Sequence, residues 1–162
     1  MSKPSKRPSR QKLASRPQSL ADYQHKQPAN ALLSLIGIPL LVCALSAWNH
    51  ADYRGSLISL CVLMIIGAYL FASLSISVTA DTLHWRFGPG LIRKQLPLNE
   101  IASAEMTRST WLEGWGIHYT RRGWLYNVSG RDAILITQKS GKSFLLGTDD
   151  VVGLWEALQH RI

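Results

Sequence analysis

The feature that most constrains this chain is a pair of long stretches without a charged side chain. Residues 27–51 contain no Asp, Glu, Lys or Arg, and neither do residues 55–80. A helix of about 20 apolar residues, rising about 1.5 Å per residue, crosses the ~30 Å hydrocarbon core of a bilayer. A helix buried in a soluble bundle would keep a polar stripe at the helical period, whereas apolar residues here cover every face. We therefore predict two transmembrane helices, at 29–48 and 56–78.

The distribution of basic residues predicts the orientation of these helices. Seven Lys and Arg side chains and one acid precede the first helix, whereas the link at 49–55 contains Arg54 as its one basic residue. Cytoplasmic segments are enriched in Lys and Arg, which places the N-terminus in the cytoplasm. Two crossings return the chain to the same side, so we expect both termini to be cytoplasmic. Cys43 and Cys61 fall inside the predicted helices, where we expect them to serve as small apolar residues.

The first 28 residues are rich in Ser, Pro, Gln and basic side chains and are nearly free of aromatic residues. Such a composition buries too little apolar surface to offset the entropy of ordering, so we expect a disordered basic cytoplasmic tail at 1–28. The tail would set the topology, adhere to anionic lipid, or do both. Nucleic acid is the weaker alternative, because a basic run alone carries little specificity.

Residues 79–162 have the pattern of a β-rich cytoplasmic domain. Leu83, Trp85 and Phe87 alternate with polar residues, and the segment 88–90 (Gly-Pro-Gly) is typical of a turn. The second predicted helix runs almost directly into a first strand at 76–80. We expect about seven short strands, and after 76–80 the further candidate segments lie near 83–87, 91–96, 101–108, 117–120, 124–128, 133–138 and 143–146.

The chain ends in a predicted amphipathic helix. Thr148 is the expected N-cap, and Asp149 and Asp150 lie in the first turn, where carboxylates favour the helix dipole. Apolar residues share one face of this helix: Val151, Leu154, Trp155, Leu158 and Ile162. We expect Trp155 to fill the domain core.

Three short motifs, in this order along the chain, resemble those of a known family. They are Gly114-Trp115-Gly116-Ile117, Tyr126-Asn127-Val128-Ser129-Gly130 and Gly147-Thr148-Asp149-Asp150. Together with the preceding two-helix hairpin, they resemble the bacterial pleckstrin-homology-like (PH-like) domain of small membrane proteins, over roughly residues 30–162. The resemblance implies a membrane-anchored α+β fold. In it, a two-helix transmembrane hairpin precedes a PH-like, partly open β-barrel or sandwich of about seven strands with one C-terminal helix. It also implies a bacterial inner-membrane location, and it carries no established activity.

The sequence contains no recognisable catalytic or metal-binding motif. Its five histidines have no partner at a metal-ligand spacing, and neither a P-loop nor a G-x-S-x-G motif is present. Asp149 and Asp150 are better explained by the start of a helix than by acid–base chemistry. We therefore predict a protein that is not an enzyme and that uses no metal or cofactor.

Basic and aromatic residues in the loop-rich middle of the domain form the predicted partner- or lipid-binding site: Arg108, Trp111, Trp115, Arg121 and Arg122. Trp115 would either fill the core or contact a ligand. The predicted function is that of a membrane-anchored binding or scaffolding module. Its partner would be a membrane or cytoplasmic protein or a second copy of the chain, since a tethered domain needs only weak contacts. Recognition of anionic lipid headgroups by the same residues is the first alternative. A role as accessory subunit of a membrane transport or envelope-stress system is the second.

Overall fold

The computed structural model describes residues 22–110 and 113–162, and within them the protein is α+β with three helices and two sheets. Nine strands occur in these ranges, where the sequence predicted about seven. The elements are β1 Tyr23–Pro28, α1 Asn30–Asn49, α2 Arg54–Leu70, β2 Ser73–Val78, β3 Thr82–Phe87, β4 Ile92–Pro97, β5 Ile101–Arg108, β6 Gly116–Thr120, β7 Gly123–Asn127, β8 Asp132–Gln138, β9 Ser143–Gly147 and α3 Val151–Gln159.

Helix α1 is long and apolar enough to cross a membrane, judged by length and composition alone. Its 20 residues match the first predicted span, and large apolar side chains are exposed along it, as at Leu35, Ile38 and Leu41. Helix α2 contacts α1 and is also apolar, but its 17 residues fall short of the same length criterion. Among the described residues, one helix therefore meets the criterion for a span.

The predicted end of the second span, at residue 78, is wrong, because α2 ends at Leu70 and residues 73–78 form strand β2. Serines alternate in this segment with the buried side chains of Leu74, Ile76 and Val78. That period of two is typical of a strand with one buried face. The absence of charge concealed the boundary, because an uncharged strand and an apolar helix look alike by composition.

Strand β1 lies inside the segment that was predicted to be disordered. It pairs antiparallel with β2, from Tyr23 opposite Val78 to Pro28 opposite Ser73. The N–H of Ala29 donates to the carbonyl of Ala72 at 2.9 Å. This bond ends the strand pairing at the point where α1 begins and α2 has just ended. The expectation of disorder is therefore wrong for residues 23–28, and the rest of the tail, 1–21, lies outside the described residues. The helical pair α1–α2 is thus inserted between two neighbouring strands of one sheet.

The first sheet is an antiparallel meander with the strand order β1-β2-β3-β4, and the second has the order β5-β8-β9-β7-β6. In the second sheet β7 pairs parallel with β9, while every other pair is antiparallel. Gly123 begins β7 with a positive φ of 106°, and a Cβ there would overlap the carbonyl oxygen of Ser143 in β9. This close approach of two backbones requires glycine.

The turn between β3 and β4 lies against the end of α2. Gly88 has a φ of 44°, and its N–H donates to the carbonyl of Ser73 at 2.8 Å. A Cβ on Gly88 would lie 2.5 Å from the carbonyl oxygen of Leu70, which is closer than van der Waals contact. Phe87 and Phe71 add an edge-to-face contact, with ring centroids 5.5 Å apart. The β3–β4 turn is therefore fixed beside the point where α2 joins the sheet.

The core lies between the two sheets and beneath α3. Trp85 of β3 stacks on Phe144 of β9 at 5.1 Å, and the Tyr126 ring of β7 packs against both. Leu154 and Leu158 of α3 are fully buried in the same cluster. Trp155 is only half-buried, and its Nε1–H donates to the carbonyl of Ala104 at 3.1 Å. The expectation that Trp155 fills the core is wrong, because the adjacent leucines do so and Trp155 covers β5.

The start of α3 is capped two residues later than predicted. The carboxylate of Asp150 accepts from the N–H of Gly153, which is the standard geometry of an N-cap. The Thr148 hydroxyl accepts from the N–H of Asp150 instead and shapes the loop before the helix. Thr148 and Asp150 both carry a side-chain oxygen suited to an N-cap, and the sequence alone does not show which of the two caps the helix.

Candidate functional site

Three of the five predicted site residues line one open depression. Arg108, Arg121 and Arg122 surround it together with Glu113 and His118, and its volume is about 940 Å³. Trp111 lies outside the described residues. Trp115 is not among the lining residues; its Nε1–H donates to the carbonyl of Gly130 at 3.2 Å, and the ring is half-buried.

The guanidinium of Arg122 is used within the protein. It donates to the Thr107 hydroxyl at 3.0 Å, to the Arg108 carbonyl at 3.0 Å and to Oε2 of Glu113 at 3.0 Å. Arg122 lies in the β6–β7 turn, whereas Thr107 belongs to β5, the strand at the other edge of the same sheet. Arg122 therefore links the two edges of the second sheet and is a structural residue.

Glu113 completes this connection. Burial acts to raise the pKa of its carboxyl group, but the hydrogen bond from the Thr110 backbone N–H and the charge of Arg122 outweigh it and hold the pKa below its usual value. The Thr110 N–H donates to Oε2 at 2.6 Å. Glu113 is thus ionised near neutral pH and neutralises Arg122.

Arg108 is also compensated, because its Nε–H donates to Oδ1 of Asp132 at 2.6 Å. Both side chains are exposed, so the pair adds little to stability, yet it reduces the local positive charge. Within the part of the chain that the structure describes, the Arg121 side chain makes no hydrogen bond or ion pair, and the buried Nε2 of His118 has no hydrogen-bond partner. This depression therefore offers a ligand one uncompensated cation, the Arg121 guanidinium.

A second depression, of about 890 Å³, lies against the outer face of the first sheet. Inward side chains of β2 and β3 are buried in the core, so the alternate positions face outward. The register places four of these outward residues directly opposite one another across all four strands, and we call this set the basic row: Lys26, Ser75, Arg86 and Arg93. The neighbouring outward set is Gln24, Ser77, His84 and Gln95.

The basic row carries no compensating carboxylate. None of the three ion pairs found among the described residues involves Lys26, Arg86 or Arg93. All three side chains belong to exposed residues, and the second outward set contributes His84 and no acid. The outer face of the first sheet is therefore a continuous surface of positive and neutral polar groups.

The predicted site residues do not include this surface, although part of the signal is present in the sequence. The alternation around Trp85 predicted that Arg86 faces away from the core, and the buried pattern of β3 confirms it. Pairing about the 88–90 turn would have placed Arg93 opposite Arg86. Lys26 could not have been found, because its strand pairs with a segment beyond the helices and was assigned to the tail.

A third set of contacts fixes β1 to the start of α3. The Gln27 side chain is fully buried; its Nε2–H donates to the Gly147 carbonyl at 3.1 Å, and its Oε1 accepts from the Asp149 N–H at 2.8 Å. Tyr23 donates its hydroxyl proton to Oδ2 of Asp150 at 3.0 Å. Burial, followed by this bond to a carboxylate, raises the pKa of the Tyr23 hydroxyl above its ordinary value. The strand that enters the helices is thus fixed to the C-terminal helix.

The third exposed feature is an aromatic pair on the β6–β7 hairpin. Tyr119 and Trp124 lie opposite each other in the register and meet edge to face, with ring centroids 5.7 Å apart. Their exposed fractions are 73% and 47%, and Arg121 and Lys142 lie beside them around an open depression of about 620 Å³.

Among the described residues, no group of three or more His, Cys, Asp or Glu side chains could hold a metal ion. Comparison of the chain with protein-family models, with curated proteins and with solved structures gives no match.

Proposed function

We propose that this chain is a membrane-anchored, non-catalytic binding or scaffolding module that acts at the cytoplasmic face of a bacterial inner membrane. One observation supports this most: the apolar helices α1 and α2 lie between two hydrogen-bonded strands of one sheet. A domain joined to its anchor by two short, paired connections keeps a restricted position at the bilayer surface, unlike a domain on a flexible linker.

The proposed anchor is a two-helix transmembrane hairpin. Helix α1 has the length of a span, and the 17 residues of α2 rise about 26 Å, slightly less than a ~30 Å hydrocarbon core. Local bilayer thinning accommodates such a short span at modest cost. Both connections to the sheet then lie on one side, and the basic residues before α1 favour the cytoplasm.

The partner that we propose is a protein, and the Tyr119–Trp124 pair is the contact surface. Tyr, Trp and Arg are the side chains most enriched among residues that dominate binding energy at interfaces. An exposed aromatic pair beside Arg121 combines all three. Since the anchor confines the domain to the membrane surface, a partner in the same membrane meets it at high effective concentration. We also propose that the two sheets and α3 form a PH-like domain, which the antiparallel meander β1-β2-β3-β4 and the terminal helix support.

The depression around Arg108 and Arg122 is a weaker basis for lipid recognition. Two of its three arginines are already paired with carboxylates at 2.6 Å and 3.0 Å. A ligand phosphate would have to displace a charge-assisted hydrogen bond to reach either one.

Site-specific photo-crosslinking in native membranes tests the proposed function. A photoreactive amino acid replaces Tyr119 or Trp124 in the full chain, and Lys139 in the β8–β9 turn serves as the exposed control position. We expect the same discrete adduct from the first two positions and none from the third. Trp124→Ala should reduce the Tyr119 adduct at least several-fold. Equal adducts at all three positions, or none at any, would contradict the proposal, and an adduct of twice the chain's mass would identify self-association.

A further inference from the structure

The sheet places two like charges face to face. Arg86 of β3 and Arg93 of β4 are direct cross-strand partners, and Lys26 lies in the same row beyond Ser75. Like charges directly opposite each other destabilise a strand pair, and no carboxylate among the described residues relieves this one. A sequence that keeps such a conflict between local energetics and fold indicates a functional site.

The position of the row relates it to the bilayer. Lys26 and Ser75 are two residues from Pro28 and Ser73, where the chain leaves the sheet for the helices. Two residues of strand correspond to about 7 Å. Independently, Arg86 is two residues from Gly88, which touches the end of α2. Lys26, Ser75 and Arg86 are therefore held close to the membrane anchor, and Arg93 lies directly opposite Arg86 on the next strand.

The chemistry of the surface suits a phosphate group. Arginine presents a planar set of N–H donors that binds phosphate oxygens in pairs, and two guanidiniums together can hold a phosphate diester between them. Four strands spaced about 4.8 Å apart give the row a length of about 14 Å, comparable with a lipid headgroup. Ser75, Ser77, His84 and Gln95 line the same 890 Å³ depression and supply neutral donors.

From these observations we infer that the basic row on the outer face of the first sheet binds the phosphate of an anionic membrane lipid. The inference rests on the proposed membrane anchor, because the anchor brings the row to the headgroup region. The site is separate from the Arg108–Arg122 depression, in which two of the three arginines are paired with carboxylates. Lipid bound here would orient the domain on the surface and leave the Tyr119–Trp124 pair free for a partner.

The test uses the full chain, purified in a neutral detergent and titrated with short-chain phosphatidylglycerol, with binding counted by native mass spectrometry. The double variant Arg86→Gln/Arg93→Gln removes the facing guanidiniums. Its matched control, Lys139→Gln/Lys142→Gln, removes two exposed positive charges elsewhere. We expect affinity to fall at least tenfold in the first variant and less than twofold in the second. The wild-type affinity should also decrease with added salt.

Each other outcome overturns the inference. An equal loss of affinity in both double variants would mean that the lipid is attracted by diffuse positive charge. If the wild type did not bind phosphatidylglycerol, an anionic lipid would not be the ligand. Binding of inorganic phosphate with equal or greater affinity would assign the site to a soluble anion. Folding is checked by the melting temperature, which should rise in Arg86→Gln/Arg93→Gln because a repulsive pair is gone. Alkaline extraction of the same variants from membranes reports the anchor separately, so that failure of the lipid site and failure of the proposed function are distinguishable.

Discussion

Replacing Gln27 by alanine tests whether β1 is an integral strand of the domain. The Gln27 side chain is fully buried and makes two hydrogen bonds, to the Gly147 carbonyl and from the Asp149 N–H. Each bond contributes about 1 kcal/mol net, and a buried carbonyl left without a donor costs a further ~1–3 kcal/mol. Gln27→Ala should therefore lower the free energy of unfolding by about 3–5 kcal/mol, a large share of the 5–15 kcal/mol typical of a domain.

Gln24 provides the matched control, because it is the same residue type on the same strand but is exposed on the outer face. Gln24→Ala should change the free energy of unfolding by less than about 0.5 kcal/mol. The assay is denaturant unfolding of the full chain in detergent, followed by the near-ultraviolet circular dichroism of the packed aromatic core. Equal, small effects of the two substitutions would refute the reasoning, since they would show that β1 is not held against α3.

Further predictions concern the other contacts. Tyr23 ionises near pH 10.0 in the unfolded chain and at higher pH in the folded protein. Its contribution to the free energy of unfolding is therefore complete below pH 10 and is lost as the pH rises above it. Denaturant unfolding should show a smaller loss of stability in Tyr23→Phe than in wild type between pH 10 and 11.5. Arg122→Gln removes the link between β5 and the β6–β7 turn and should cost about 1–2 kcal/mol by chemical denaturation, whereas Arg121→Gln should stay within about 0.5 kcal/mol. Trp155→Phe keeps most of the packing but removes the hydrogen bond to the Ala104 carbonyl, so calorimetry should show a decrease of about 1 kcal/mol in the free energy of unfolding. A decrease above about 3 kcal/mol would mean that Trp155 is a core residue after all.

The elements that could be predicted from the sequence are those determined by short-range patterns. The alternation around Trp85 and the Gly-rich turn at 88–90 predicted β3, β4 and their hairpin, because residues next to each other in sequence determine both. The amphipathic spacing of Leu154 and Leu158 likewise predicted α3.

The unpredicted part depends on residues that meet only after folding. Strand β1 presents Tyr23, His25 and Gln27 inward, so it lacks an apolar alternation, and its partner β2 begins 45 residues after its end at Pro28. The inward groups of Tyr23 and Gln27 are satisfied by Asp149 and Asp150, which lie immediately before α3 at the far end of the chain. No local pattern carries that information.

The candidate sites show the same division. Arg108 and Arg122 were recognised as basic residues, but whether a cation is free or paired depends on Asp132 and Glu113, which only the fold brings near. The basic row needed the register of four strands, including the unpredicted one.

The pairing of β1 with β2 across the helical hairpin is the central claim, and a cysteine pair at Lys26 and Ser75 measures it most directly. These residues are cross-strand partners, and Cα atoms of such partners lie about 4.5–5.5 Å apart, within the range that a disulfide bridges. With Cys43 and Cys61 replaced by alanine, mild oxidation of native membranes should join the two introduced thiols within one chain in high yield. Two thiols that remain fully reactive toward maleimide after oxidation would contradict the pairing.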